Sequence, residues 1–196
     1  MFSHSLSGLG MIVKRLKINY FLFFINFTNF ITLQTLRTYI PLLKIQPMST
    51  VRITKEFRFE TAHALRGYDG PCKSIHGHSY ELSVTVTGTP AGDNNSPKAG
   101  MVMDFGDLKK IIKKNIIDTV DHALILNKDY PMEDVQKIRD VFCNIVWVDY
   151  QPTSENLLAD FSKRIIPMLP EGVKLFSLRL RETANSYAEW FAEDNT

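Results

Sequence analysis

Three histidines carry the most specific chemical signal in this sequence. His76 and His78 flank a single glycine, and His63 lies a short way upstream. Because residues two apart in a β-strand project from the same face, His76 and His78 would present two imidazoles side by side. A third imidazole from a neighbouring strand would complete three nitrogen ligands, the number that leaves one position of a zinc ion open for chemistry. The pattern therefore predicts a catalytic zinc site formed by His63, His76 and His78.

Two other interpretations of these histidines stay open from the residues alone. Cys72 follows a loop rich in glycine and proline, and it could act as a fourth ligand that closes the site into a purely structural one. The imidazoles could also be core side chains that make ordinary hydrogen bonds, which is the usual explanation of an isolated pair. The third histidine and the nearby cysteine together favour the metal site.

Other side chains are consistent with acid–base chemistry. A thiol has a pKa of about 8.5, which nearby positive charge lowers, so Cys72 could serve as a base. Asp121 directly precedes His122 and could orient and polarise its imidazole, although a histidine that caps a helix explains the pair equally well. Glu182 ends an apolar strand, where it would either pair with a buried arginine or accept the paired N–H groups of an amino-pyrimidine.

Alternating apolar and polar positions predict the strands that carry these groups. The predicted long strands are residues 51–63, 76–87, 175–181 and 187–191, and two short ones are expected at 101–103 and 144–148. His63 would end the inward face of the first strand, whereas His76 and His78 would begin that of the second. The inward residues predicted for the strand from 175 are Phe176, Leu178, Leu180 and Glu182.

Two amphipathic helices are predicted between the two pairs of long strands. Asp104 is a suitable N-cap for the first helix, whose apolar positions recur at helical spacing. Thr153 and Ser154 begin the second helix, where Glu155 would interact favourably with the helix dipole. A shorter helix is expected over 134–142. The order of elements predicts an α+β domain with a four-stranded antiparallel sheet and two helices packed on one face (ββααββ).

The charge of the chain is unevenly distributed. The formal net charge is only +2, which is too small to argue for a nucleic-acid partner. Residues 1–47 contain five basic residues and no acid, and their apolar run is too short and too polar to predict a membrane span. We therefore expect 1–47 to be a non-native or disordered extension, Met48 to be the true start, and 48–196 to be a single domain. The two cysteines favour a reducing compartment, which predicts a cytoplasmic location.

Six motifs give the sequence a specific resemblance to a known family. In chain order they are FETAH, CKSIHGH, GMVMDFGDLK, VDHALILN, PTSEN and RET. The set resembles the 6-pyruvoyltetrahydropterin synthase family, and it spans nearly all of 51–190 and none of 1–47. The resemblance implies the tunnelling fold, in which the sheets of several subunits join into barrels. It also implies a homohexamer, built as a dimer of trimers, with active sites at subunit interfaces.

The same resemblance implies a role for each matching residue. The matches are His63, His76 and His78 as zinc ligands, Cys72 as the proton acceptor, Asp121 and His122 as its relay partners, Glu182 as the pterin anchor and a relay member, and Thr153, Ser154 and Glu155 as residues of the pterin pocket. The segment between VDHALILN and PTSEN is longer than the family pattern, so the rim of the pocket is expected to differ.

The substrate implied by the resemblance is 7,8-dihydroneopterin triphosphate, and the implied activity is that of a lyase. The Cys-x3-His-Gly-His spacing is similar to that of the bacterial 6-carboxytetrahydropterin synthases of queuosine biosynthesis, which release acetaldehyde and triphosphate. A 6-pyruvoyltetrahydropterin synthase is the alternative. A non-catalytic zinc-containing protein that binds pterins or purines, and a hydrolase with a Cys/His pair, are less favoured. Neither a nucleic acid nor a membrane is expected as a partner.

Overall fold

A six-stranded sheet positions every other element of the fold. The computed structural model describes residues 49–92 and 95–195, so the expectations for Met48 and for 1–47 lie outside the described residues. The strands are β1 (Val51–His63), β2 (His76–Gly88), β3 (Ala123–Asn127), β4 (Ile145–Val148), β5 (Val173–Thr183) and β6 (Ser186–Phe191). Their order across the sheet is β4-β3-β1-β2-β5-β6.

The antiparallel ladder between β1 and β2 is the longest pairing among the described residues. It runs without a register shift from Val51 opposite Gly88 to His63 opposite His76. Burial alternates along both strands as the period-two pattern predicts, with inward side chains such as Phe59 in the core. The predicted position and orientation of both strands are therefore confirmed.

The prediction of a four-stranded antiparallel sheet was wrong in strand number and direction. β3 lies parallel to β1 and pairs with it only through Thr61–His63, and β4 lies parallel to β3. β3 escaped prediction because four of its five residues are buried, so it lacks the alternation that marks a half-buried strand. The predicted strand at 101–103 is irregular chain. The Met101 carbonyl accepts from the Ala91 N–H at 2.9 Å, and the segment joins no described strand of the sheet.

The helices confirm the predicted cap at Asp104. They are α1 (Phe105–Ile112), α2 (Asp118–Val120), α3 (Met132–Arg139) and α4 (Ser154–Ile165), with a π-helical segment (Lys113–Ile117) between α1 and α2 and 3-10 turns at Pro71–Lys73, Ile166–Met168 and Ala192–Asn195. The Asp104 carboxylate caps α1 by accepting from the Gly106 N–H at 2.6 Å. The Thr153 hydroxyl caps α4 by accepting from the Asn156 N–H at 3.4 Å. Among the described residues, no helix combines the length and apolarity needed to cross a membrane.

The main core lies between one face of the sheet and helices α1, α2 and α4. Leu108 from α1 and Phe161 from α4 are fully buried against inward residues such as Leu82 and Leu180. Burial of apolar side chains such as these supplies the dominant favourable contribution to folding. The core therefore holds β1, β2 and β5 in register.

The opposite face of the sheet is covered at its β3–β4 side. Leu124 and Leu126 of β3 are buried there in a second cluster, against which Ile138 of α3 packs. Because Ile125 between them belongs to the main core, β3 is buried on both faces. The two long predicted helices, α1 and α4, thus share one face as expected, whereas α3 covers the other face, which corrects the predicted architecture.

A β-bulge in β5 overturns the predicted orientation of Phe176. The pairing of β2 with β5 shifts between Thr85 and Val86, so that Val86 lies opposite Leu175. Leu175 is therefore buried in the core. Phe176 lies half-buried outside it, with the Arg52 guanidinium 3.6 Å from its ring centroid. A bulge adds one residue to one strand, which strict period-two alternation does not reveal.

Candidate metal centre

The three predicted ligands meet where β1 ends and β2 begins. His63 is paired with His76 across the ladder, and His78 follows on the same face of β2. The ring centroids are 4.6 Å apart for His63 and His76, 5.2 Å for His63 and His78, and 4.8 Å for His76 and His78. One ring nitrogen of each histidine lies within 4.8 Å of those of the other two. The structure thus brings these side chains together as the sequence predicts.

Backbone carbonyls determine which ring nitrogens are free to bind an ion. Nδ1 of His63 lies 2.6 Å from the Pro152 carbonyl oxygen, and Nδ1 of His76 lies 2.8 Å from that of Ser74. A carbonyl oxygen only accepts hydrogen bonds, so in the neutral form of each ring Nδ1 carries the proton and Nε2 keeps its lone pair. The two Nε2 atoms are 3.1 Å apart. Nε2 of His78 is buried without a hydrogen-bond partner in the described part of the chain. A divalent metal ion fits this set of converging ring nitrogens.

Burial keeps two of the imidazoles neutral. It is the largest cause of the lowered pKa of His63, and the Pro152 carbonyl and Glu182 offset it only in part. It is also the largest cause of the lowered pKa of His78. Desolvation disfavours the charged form of a histidine, and metals bind only the neutral form. The site is therefore suited to a cation other than the proton.

Glu182 faces the histidines from the end of β5. Its Oε1 lies 3.4 Å from Nε2 of His63 and 3.3 Å from Nε2 of His78. The pairing of β5 with β6 shifts between Arg181 and Thr183, which leaves Glu182 at an irregular position of the ladder. Such irregularities re-aim side chains beside functional sites. Within the described residues, the ionic neighbours of Glu182 are histidines, so the alternative of a buried arginine partner is not supported.

Tyr80 is a site residue that the sequence reasoning missed. Its side chain is fully buried, and its hydroxyl donates to Oε1 of Glu182 at 3.2 Å. Burial is the main cause of the raised pKa of Tyr80, and the charge of Glu182 adds to it, so the phenol stays a donor. A hydroxyl at an inward position two residues after His78 was the available signal.

Cys72 lies in the loop between β1 and β2 but is not one of the grouped ligands. It occupies the 3-10 turn Pro71–Lys73, and its side chain is half-buried. Its ionised form is the smallest of the causes that raise the pKa of Tyr80. The ligand group formed by the described residues contains the three histidines without Cys72. This geometry favours an open three-histidine site over a closed one.

Asp121 and His122 lie on the other side of the sheet. Oδ1 of Asp121 is 3.0 Å from Nδ1 of His122 and accepts from the Glu60 N–H, also at 3.0 Å. His122 has a φ of 55° and an exposed ring, which lines a surface cleft of about 360 Å³ with Glu60 and Ser79. Both of those residues alternate with the inward residues of their strands. His78 also lines this cleft, but His122 is not one of the grouped ligands within one chain.

The segment at the start of α4 meets the site through its backbone. Thr153 is used as the helix cap, and Glu155 is exposed in the first turn. Ser154 is buried, and its hydroxyl makes no hydrogen bond of good geometry to the described residues, although it partly offsets the increase in the pKa of Tyr80. The closest contact is the Pro152 carbonyl on His63. Backbone acceptors such as this one have no side-chain signal, so the sequence could not reveal them.

Acidification should lower the unfolding free energy of the metal-free wild type more than it lowers that of a variant without His63. The pKa of His63 and that of His78 are lowered in the folded state, so the unfolded chain binds more protons below about pH 6.5. The stability is therefore complete above that pH and decreases as the pH falls towards the folded pKa. Each buried histidine contributes at most about 1.4 kcal/mol per pH unit.

Urea unfolding of the metal-free wild type and His63→Gln at pH 7.5 and 5.5 measures this difference. Gln136→Ala is the control, because it changes an exposed side chain that carries no titratable group, and it should keep the wild-type pH dependence. An equal loss of unfolding free energy in wild type and His63→Gln would contradict the expectation.

Relatives of known name are similar to this chain along most of its length. A 6-carboxy-5,6,7,8-tetrahydropterin synthase of Haemophilus influenzae is 35% identical over 144 residues, which cover 71% of this chain and 97% of the relative. A protein of the same name from Rickettsia felis is 32% identical over 141 residues, covering 71% and 99% of the two chains. One from Aquifex aeolicus is 32% identical over 164 residues, covering 72% and 98%.

Solved structures share the fold. An uncharacterized protein from Wolinella succinogenes superposes with a TM-score of 0.61 at 22% identity, covering 74% of this chain and 99% of that one. A 6-pyruvoyl tetrahydropterin synthase from Caenorhabditis elegans superposes with a TM-score of 0.54 at 24% identity, covering 74% and 97%. The sequence model of the 6-pyruvoyl tetrahydropterin synthase family matches residues 52–193, and this chain therefore belongs to that family.

Proposed function

We propose that this protein is a zinc-dependent lyase that acts on 7,8-dihydroneopterin triphosphate. With one water, the substrate would give 6-carboxy-5,6,7,8-tetrahydropterin, acetaldehyde and triphosphate, as in queuosine biosynthesis. The observation that carries the proposal is the set of three imidazoles whose ring nitrogens converge beside Glu182. The names of the bacterial relatives, which this chain matches over 97–99% of their length, support the choice of the carboxy product.

His63, His76 and His78 would hold the zinc ion. When bound, zinc supplies a Lewis acid that acidifies hydroxyl groups of the substrate side chain. In His63 and in His76 a backbone carbonyl engages Nδ1, so that Nε2 is the ring atom left for the ion. Three protein ligands leave a coordination position for the substrate, which a closed structural site would not.

The remaining residues of the site would bind the pterin and move protons. The Glu182 carboxylate would accept two N–H groups from the amino-pyrimidine edge, and the buried hydroxyl of Tyr80 would hold that carboxylate in place. Cys72, as a thiolate, would remove a proton from the substrate side chain. The pterin pocket would also use Thr153, Ser154 and Glu155 at the start of α4.

The proposed relay requires a second copy of the chain. His122 shares its cleft with the outward residues Glu60 and Ser79, so with Asp121 it would serve the Cys72 of a neighbouring subunit. One side of β4 and one side of β6 have no partner strand within the described residues, and unpaired edges of this kind can join sheets between subunits. We accordingly propose a cytoplasmic homohexamer, built as a dimer of trimers, with active sites at the subunit interfaces.

Two alternatives keep the same histidines. A 6-pyruvoyltetrahydropterin synthase would eliminate triphosphate without losing a carbon fragment, and the family to which the chain belongs bears that name. A non-catalytic pterin-binding protein would need the histidines and Glu182 but not Cys72, Asp121 and His122. The presence of all three favours an enzyme.

Zinc-loaded protein incubated with 7,8-dihydroneopterin triphosphate should yield 6-carboxytetrahydropterin and acetaldehyde, detected by mass spectrometry. Removal of zinc by a chelator should abolish turnover, and added zinc should restore it. Pyruvoyltetrahydropterin as the product would assign the protein to the alternative branch. Binding of the substrate with bound zinc but without release of triphosphate would refute an enzymatic function.

Replacement of the proposed base should separate catalysis from metal binding. We expect Cys72→Ala to lower turnover by about 10²–10⁴-fold, the usual contribution of a general base, with the zinc content unchanged. Cys143→Ala is the matched control, since Cys143 is an exposed thiol, and it should leave turnover unchanged. Loss of zinc from Cys72→Ala would instead identify a closed site with Cys72 as the fourth ligand.

Mixed assembly of two inactive variants should restore activity if the site is shared between subunits. Cys72→Ala and His122→Ala are each expected to be inactive alone. Refolded together, they should recover about a quarter of the wild-type activity, because random assembly places two intact residues at one interface in four. Mixed oligomers without any recovered activity would show that both residues act within one chain.

A further inference from the structure

The side chain of Gln151 joins the segment before α4 to the loop that follows β1. Its Nε2 donates to the backbone carbonyl of Arg66, and its Oε1 accepts from the Arg66 N–H at 3.2 Å. We call these two hydrogen bonds the Gln151 clamp. The amide group pairs with the backbone of Arg66 in both directions, as the backbone of a neighbouring strand would. Arg66 follows closely after His63 at the end of β1, so the clamp acts on the chain next to this candidate ligand.

The backbone of Gln151 is held as firmly as its side chain. Its carbonyl accepts from the Thr153 N–H at 2.8 Å and from Nδ2 of Asn156 at 3.0 Å. The bond from Thr153 closes a three-residue γ-turn centred on Pro152. Because the proline ring fixes φ, this turn leaves the Pro152 carbonyl little freedom in its direction.

That carbonyl is the group that accepts from Nδ1 of His63 at 2.6 Å. We propose that Gln151 is a positioning residue of the candidate metal centre: the Gln151 clamp holds the Pro152 carbonyl against Nδ1 of His63 and thereby aims Nε2 at the metal ion. The inference rests on the proposed zinc site. The inference adds a residue whose side-chain hydrogen bonds go to the backbone of Arg66 and not to the metal ligands.

The exposure of the clamp indicates that its effect is on geometry. Gln151 is half-buried and Arg66 is exposed, so water could satisfy the same donors and acceptors if the clamp opened. Opening would therefore leave few unpaired polar groups. It would free the Gln151–Pro152 segment to move relative to His63, whose ring orientation depends on the Pro152 carbonyl. The same loop also contains the bond from the Leu65 N–H to the Cys72 carbonyl at 2.9 Å.

Zinc affinity of full-length Gln151 variants tests the inference. Gln151→Ala removes the clamp, and Gln151→Met removes it while keeping the length of the side chain. The matched control is Gln136→Ala, at an exposed position of α3. Each protein would be stripped of metal and titrated with zinc in competition with a chromophoric chelator. The visible spectrum of each cobalt-loaded protein would report the ligand geometry.

Both Gln151 variants should bind zinc about tenfold more weakly, at the lower end of the 10–100-fold range for groups that orient metal-binding histidines. Their cobalt spectra should differ from the wild-type spectrum, whereas Gln136→Ala should match the wild type in both measurements. Wild-type affinity and an unchanged spectrum in the Gln151 variants would overturn the inference and leave the zinc site intact. If Gln151→Ala does not fold, Gln151→Met decides alone. If the wild-type protein itself binds no zinc, the proposed function fails, and the inference fails with it.

Discussion

The register between β1 and β2 is the constraint on which the rest of the structure depends. Side chains alternate along a strand, so a slip of one residue would move the inward side chains of one strand, histidines included, to the opposite face. The apolar inward faces of both strands prevent that slip, because it would expose the core beneath α1 and α4. The free energy that holds the metal centre together therefore comes from apolar burial along the whole ladder, not from the histidines.

The close packing of the three histidines is unfavourable for the stability of the metal-free protein, and burial of the apolar core offsets its cost. Nε2 of His63 and Nε2 of His76 lie 3.1 Å apart, and Nε2 of His78 is buried without a hydrogen-bond partner among the described residues. Buried polar groups normally have a partner, so this set is an exception that calls for an explanation. Burial lowers the pKa of His63 and raises that of Tyr80, which keeps both groups neutral. Glu182 then supplies the negative charge at the site.

Patterns of side chains made much of this arrangement predictable. Alternation revealed β1 and β2, and polar groups at the ends of their inward faces revealed the three histidines and Glu182. Three features had no such signal. β3 is buried on both faces and so lacks a period, the bulge at Phe176 breaks the period, and the Pro152 carbonyl belongs to the backbone. The separation of His122 from the cluster depends on which face of the sheet a loop follows, which sequence spacing does not encode.

The short parallel pairing between β3 and β1 has a mechanical consequence. β3 reaches β1 only at Thr61–His63, so this end of β1 is hydrogen-bonded on both sides, while its first half has a partner on one side only among the described strands. β1 is thus an interior strand at its His63 end and an edge strand at its Val51 end. Amide hydrogen exchange should therefore be slowest near His63 and faster towards Val51, where local opening of the ladder is easier. Thermal motion of the ladder would therefore be concentrated at its Val51 end, away from the imidazoles.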